Sequence, residues 1–345
     1  MKNTFKTPFL GLTFLGSALL VAGAGFMQTR ADDDHHESGM AGMPGMVMKP
    51  RTHTTSLAFS SNPRAIPVGK PATWTLKISD AKSGDAVNEF EVEMTKKMHL
   101  IVVKNDLSWF NHIHPQFQGG GKFTVTTTLP SAGTYKIYAD YTLPHAGQEV
   151  PQFSFATAGQ KVTPAKVSIS PDKMQGMWLK GAFNAHPESQ PDTQGGAVYH
   201  VALMPMPMPI VAGQDTMLHF QISDAKGRPV KDLQPYLGAM GHCVILSSDT
   251  NSYLHSHPMS ENMEGMDHSM AGMKMGAMKM SAPAPTVGGP NVMFHTNFPH
   301  AGLYKVWGQF QHRGKIITAN YVVKVTPGRP GQAAGAVDES KPHTH

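Results

Sequence analysis

One short string occurs twice in the chain. Residues 98–115 read MHLIVVKNDLSWFNHIHP and residues 241–258 read GHCVILSSDTNSYLHSHP. His99, His112 and His114 return as His242, His255 and His257, all three at one common offset. Three histidines matched at a single offset define a tandem repeat, so the chain must fold into a unit that can be built twice. The copies extend outward. Ile78-Ser79-Asp80-Ala81-Lys82 returns as Ile222-Ser223-Asp224-Ala225-Lys226, and LPSAGTYKIYADY (129–141) returns as FPHAGLYKVWGQF (298–310). The last pair stands further apart than the histidine pairs do, which places an insertion between His257 and Phe298.

Within the first copy, ATWTLKISD (72–80), KFTVTTTL (122–129) and TYKIYADY (134–141) alternate apolar and polar positions, the period of a strand. KMHLIVV (97–103) is a continuous β-branched run of the buried type, and GGG (119–121) and PSAG (130–133) supply turns. PQFSFA (151–156) closes the set, and AKVSIS (165–170) reads as one more strand. Many short strands separated by frequent turn signals predict an all-β chain of two tandem immunoglobulin-like β-sandwich domains. The expected boundaries are 53–170 for the first domain, 171–195 for a linker and 196–327 for the second domain, which carries the insertion at 258–290. Residues 328–345 read as a disordered tail.

The histidines can be placed by parity. If residues 104–107 form a tight hairpin turn, cross-strand partners sum to 211 and His99 faces His112. A turn two residues longer gives 213 and sets His99 opposite His114. Either even register puts His99, His112 and His114 on one sheet face, because side chains alternate along a strand and partners point the same way. The repeat carries the argument to His242, His255 and His257. Following each strand fully across its sandwich brings the loop with His145 to the histidine end of the first domain and His312 to that of the second. Each domain is therefore expected to hold its own cluster of four.

Three or four imidazoles suit a divalent ion such as Cu(II) or Zn(II), whereas thioethers favour soft Cu(I) and Ag(I). The chain holds 24 Met and 19 His against one Cys, with only 15% charged residues and a net charge of +5. The insertion carries Met259, Met263, Met266, His268, Met270, Met273, Met275, Met278 and Met280. Its first five methionines have the spacing of one helix face, but glycines interrupt it and no other large apolar residue joins them, so it reads as a flexible soft-metal arm. Residues 32–52, with Met40, Met43 and Met46, form a second tail of that composition. Both ligand types in one chain favour copper, as Cu(I) or Cu(II), with zinc or silver as alternatives. Cys243 takes the place of Leu100 and reads as a small buried hydrophobe, a thiolate ligand being the sharper alternative.

Lys2 and Lys6 precede an apolar run from Phe9 to Met27, followed by Gln28-Thr29-Arg30-Ala31. This predicts a signal peptide over 1–31, and hence a periplasmic or secreted protein. An uncleaved N-terminal anchor is the alternative, and the only membrane contact expected. No Lys/Arg cluster or aromatic-basic interleaving supports nucleic-acid binding. No Ser-His-Asp or Cys-His arrangement, and no carboxylate spaced as a general base, supports an enzyme. A blue-copper site would need a Cys closely followed by His and Met on one loop, and the next histidine after Cys243 is His255.

Two resemblances rest on these strings. MDHSMAGM (266–273) is similar to the Met/His-rich repeats of bacterial periplasmic copper-resistance proteins. MHLIVV…HIHP with LPSAGTYKIYADY, and its second copy, resemble secreted YtkA-like β-sandwich modules over most of residues 70–325. The second resemblance implies an immunoglobulin-like fold and export, with no established activity. The expected role is copper or silver sequestration or delivery, with a metal ion and envelope copper-handling proteins as partners. The competing reading is a non-catalytic module that docks to a membrane or envelope partner through structural histidines.

Overall fold

The computed structural model describes residues 54–175, 178–180, 182–185, 199–258 and 287–328. The signal segment, the tail with Met40, Met43 and Met46, and the insertion from Met259 to Met280 lie outside them. Every regular element among the described residues is a strand, and no helix there is long and apolar enough to cross a membrane.

The first sandwich packs two antiparallel sheets. One is ordered β1 (Thr55–Asn62), β2 (Pro71–Asp80), β6 (Lys122–Thr128), β5 (Gln116–Phe117). The other is ordered β4 (Phe110–Ile113), β3 (His99–Lys104), β7 (Thr134–Leu143), and β7 also pairs with β8 (Gly147–Glu149) and β9 (Gln152–Ala156). Alternation along β2 sends Trp74, Leu76 and Ile78 into the core, where they meet Leu100, Val102, Phe123 and Ile137. Residues 165–170, expected as a strand, form none. That segment is held by the space between the domains instead. Val167 packs into the apolar layer there, and the Asp172 backbone and carboxylate both bond to the backbone of Val322 in the second domain.

The second sandwich repeats the plan. β13 (Tyr199–Met206), β15 (Asp215–Asp224) and β18 (Asn291–Asn297) make one sheet, and β17 (Tyr253–Ser256), β16 (His242–Ser247), β19 (Gly302–His312) and β20 (Lys315–Thr326) the other. The short β14 (Ile210–Val211) lies parallel to the end of β20. Strand β20 does as one element what β8 and β9 do as two. In the first domain Pro151 stands between the two pieces, and a proline cannot donate to a ladder. The expected linker adds strands to this domain. β10 (Met174–Gln175) pairs with β11 (Trp178–Lys180), β11 with β13, and β12 (Ala182–Ala185) with β20.

The two sandwiches belong to one compact unit and meet face to face. Strand β3 is buried along five of its six positions and β16 along all six. Leu100 and Val102 point into the first core, whereas Ile101 and Val103 point out of that sandwich and pack with Val244, Leu246 and Trp307 of the second. An antiparallel sheet that is apolar on both faces needs cover on both, and here each domain covers the other.

The contacts obey the repeat. Phe110 stacks on Trp307 with ring centroids 4.7 Å apart, and their counterparts Tyr253 and Tyr138 stack at 5.2 Å. Lys136 Nζ donates to the carbonyl of Thr250 at 2.7 Å, and Lys305 Nζ donates to that of Leu107 at 2.7 Å. Each of these contacts from first domain to second has a mate running the other way. This is the signature of a two-fold, self-complementary interface, here formed within one chain.

Candidate metal centre at the domain interface

The hairpin register follows the longer of the two expected turns. Leu100 pairs with Ile113 and Ile101 with His112, so partners sum to 213. In the second domain Cys243 pairs with Ser256 and Val244 with His255, the same register one repeat on. His99 and His112 therefore share the outward face of their sheet with Ile101 and Val103, and His242 and His255 share theirs with Val244 and Leu246.

Those outward faces are the ones that meet. The two expected triads do not form two separate sites at the sandwich ends; they form one cluster of six imidazoles between the domains. Within the first triad ring centroids lie 4.6 Å (His112–His114) to 5.2 Å (His99–His112) apart. Across the interface His99 is 5.1 Å from His255, His112 is 5.2 Å from His255, and His99 is 5.9 Å from His242. Ring nitrogens of His99, His112 and His255 lie within 4.8 Å of one another, and so do those of His242, His255 and His257. His255 belongs to both groups.

Two relays hold the rings, again as two-fold mates. His99 Nε2 is 3.0 Å from the carbonyl of Glu93, its Nδ1 is 3.0 Å from His112 Nε2, and His112 Nδ1 is 2.8 Å from Gln309 Oε1. In the other half His242 Nε2 is 3.0 Å from the carbonyl of Tyr236, its Nδ1 is 3.4 Å from His255 Nε2, and His255 Nδ1 is 3.0 Å from Asp140 Oδ2. Each relay starts on its own domain and ends on the other. Asp140 and Gln309 are equivalent in the repeat, pairing with His99 and His242 along the ladder.

Burial dominates the electrostatics. It lowers His99 to about 4, His114 to about 2 and His257 to about 3, and holds His112 and His242 well below the ordinary range, with neighbouring imidazoles adding to the effect. Neutral imidazoles keep a lone pair free for a metal at pH 7. Burial alone would raise the Asp140 carboxyl. The hydrogen bond from His255, with donors from Gln148 (2.8 Å) and Tyr253 (2.9 Å), outweighs it and leaves the group below the usual range. His257 Nε2 is buried without a hydrogen-bond partner among the described residues. A buried nitrogen with no partner, on a residue grouped with two further imidazoles, fits a metal site.

His145 and His312 are not in the cluster. His145 is exposed at the turn between β7 and β8, several residues past Asp140 at roughly 3.3 Å each. His312 lies on the opposite face of β19 from Gln309, because the residues differ by an odd number. Both its nitrogens are engaged, Nδ1 by the Tyr199 hydroxyl at 2.7 Å and Nε2 by Asp232 at 3.0 Å. Cys243 points into the second core, away from the histidines, and burial pushes its thiol up, so it is a packing residue and not a ligand. Sequence reasoning missed Asp140 and Gln309. The signal was their match within YADY and WGQF, next to the histidine strands.

The family described as "Domain of unknown function (DUF8832)" matches residues 53–159 and 192–327, more than half of the chain. The chain belongs to this family. The matched segments coincide with the two sandwiches, so the DUF8832 match covers the whole histidine cluster. No curated protein matches the sequence. Among solved structures, the chain is similar to the Escherichia coli adhesin FdeC at 13% identity, over 78% of this chain and 64% of that one, with a TM-score of 0.22. It is similar to trypsin-activated α2-macroglobulin from Escherichia coli at 12% identity, over 79% and 16%, with a TM-score of 0.23. For invasin, a bacterial integrin-binding protein, the values are 10%, 79% and 40%, with a TM-score of 0.18. The chain spans less than two thirds of the length of each.

Proposed function

We propose that this is an exported copper-binding protein, and that the ion is held between its two domains and not within either one. The role that fits is sequestration or delivery of copper, with silver as a soft alternative, outside the cytoplasm. The observation that carries the reading is the convergence of six imidazoles in a covered interface, with no catalytic carboxylate pair or nucleophile among them. Imidazole is a good ligand for both Cu(II) and Cu(I), and burial among neutral rings disfavours the harder, oxygen-preferring ions. The methionine-rich insertion follows His257-Pro258 directly in the sequence and supplies thioethers suited to Cu(I). The apolar run behind Lys2 and Lys6 supports export.

Equilibrium dialysis with Cu(II), and with Cu(I) under a reductant, tests this. Replacing His242, His255 and His257 together by alanine is expected to remove the tight site and to lower the stoichiometry. Replacing His145 or His312 is expected to leave both unchanged. An unaltered affinity and stoichiometry in the triple variant would sink the proposal.

A further inference from the structure

The two halves of the cluster share a backbone plan but not a proton count. Consider the relay Tyr236 carbonyl, His242, His255, Asp140. It has three gaps, and each needs one hydrogen to be a hydrogen bond. Both ends are acceptors only. Two neutral imidazoles bring two hydrogens. If these satisfy the carbonyl and the carboxylate, His242 Nδ1 and His255 Nε2 confront each other as lone pairs. Every other neutral arrangement moves the deficit to another gap without removing it.

The mate relay, Glu93 carbonyl, His99, His112, Gln309, has no such deficit. A primary amide can turn either its oxygen or its NH2 toward a neighbour. With the NH2 toward His112 the three gaps hold three hydrogens, and the amide oxygen can then accept from the Thr318 hydroxyl, 3.3 Å from the other amide position.

The distances follow the count. His99 Nδ1 and His112 Nε2 stand 3.0 Å apart, the length of an ordinary hydrogen bond. His242 Nδ1 and His255 Nε2 stand 3.4 Å apart. Two nitrogens on one tetrahedral ion, each at ~2.0–2.1 Å, are separated by roughly 3.4 Å. A proton or a metal ion between them completes the second relay, and of the two only a metal ion can also take His257 as a ligand.

From this we infer that the halves are unequal: His242, His255 and His257 take the first ion, and Asp140 is the positioning residue that commits His255 Nε2 to it. The inference rests on the metal-binding reading above. His255 is also the third member of the group with His99 and His112. Once committed, it is lost to that half, so a second ion binds there more weakly. The amide half closes on its own hydrogen bonds when empty; the carboxylate half is left open for a cation.

The test uses the full chain and Cu(I), kept reduced throughout loading. Crystals soaked at one equivalent and read by anomalous scattering at the copper edge are expected to show the ion between His242 and His255 first. Asp140→Asn puts an amide behind His255, which supplies the missing hydrogen as Gln309 does. It should weaken the first ion about 10- to 100-fold. Gln309→Glu should strengthen binding at the His99 and His112 pair. Copper appearing first on that pair, or an affinity unchanged within about twofold in Asp140→Asn, overturns this inference and leaves copper binding standing. Copper in neither half overturns the reading it rests on. Should Asp140→Asn fail to fold, the order of occupancy in the unaltered chain decides alone.

Discussion

In the half of the cluster built on His242 and His255 the outermost group is a carboxylate, Asp140; in the half built on His99 and His112 it is an amide, Gln309. The surroundings differ to match. Tyr253 donates its hydroxyl to Asp140, whereas its counterpart Phe110 has no hydroxyl to donate. The contacts around the cluster, by contrast, are nearly the same in both directions, from the paired ring stacks to the paired lysine hydrogen bonds. Packing thus holds the two domains in a symmetric pose while polar substitutions differentiate the chemistry within it. That division of labour makes the two halves separable by experiment.

The largest effect should come from acid, and it acts on both halves. In the unfolded chain each histidine titrates at ~6.5. In the folded chain His99 titrates at about 4, His257 at about 3 and His114 at about 2, with His112 and His242 also depressed by burial. Above pH ~6.5 neither state binds these protons and stability is flat. Below it the unfolded chain takes up protons that the folded chain refuses, so stability falls as pH falls, until the folded values are reached. Each group contributes up to ~1.4 kcal/mol per pH unit, so several kcal/mol are lost between pH ~6.5 and ~5. Urea unfolding of the metal-free chain across that range measures it. Saturating Cu(II) at pH 7 should raise the midpoint, because the ion binds only the folded pair. A flat midpoint from pH 7 to 5 would mean that the rings are hydrated and the interface open.

Much of this arrangement could be read from residues alone. The common offset identified which histidines correspond, and parity put His99 and His112 on one face, where the register found them. What stayed hidden was where that face points. HLIVVK and HCVILS are apolar at successive positions, so both sides of each strand must be covered, yet the cover comes from the other copy and lies far away in sequence. His145 and His312 were misplaced for the same kind of reason. Counting strand crossings locates an end of a sandwich, but the cluster sits on a face, partway along β7 and β19. The role of Asp140 needed the two-fold relation, since its partner His255 belongs to the other domain.

A smaller effect separates the domains in their cores. Gly308 of the second repeat corresponds to Ala139 of the first, and a methyl group there would stand 2.7 Å from the Phe220 ring. The first repeat has Leu76 where the second has Phe220, which leaves room for Ala139, a fully buried residue. Gly308→Ala should cost about 1–3 kcal/mol by overpacking. Phe220→Leu in that background should recover most of it. Thermal unfolding of the four proteins of the cycle should give a favourable coupling of about 1–3 kcal/mol. Additive costs would mean that the two cores differ for another reason.

The smallest effect tests the carboxylate half most directly. Tyr253→Phe copies Phe110 into the second domain, keeping the ring that stacks on Tyr138 and removing one donor from Asp140. Gln148 and His255 still serve that carboxylate, so the loss should be about 1 kcal/mol of stability. Its effect on copper should run the other way. A carboxylate with one donor fewer accepts more strongly from His255 Nδ1 and makes Nε2 a better ligand, so affinity for the first ion should hold or tighten while stability falls. Asp140→Asn should weaken that affinity instead. Urea midpoints and dialysis on the two variants would show the opposed directions. If Tyr253→Phe weakened copper as much as Asp140→Asn does, the hydroxyl would itself belong to the site, and the carboxylate would not be what distinguishes the halves.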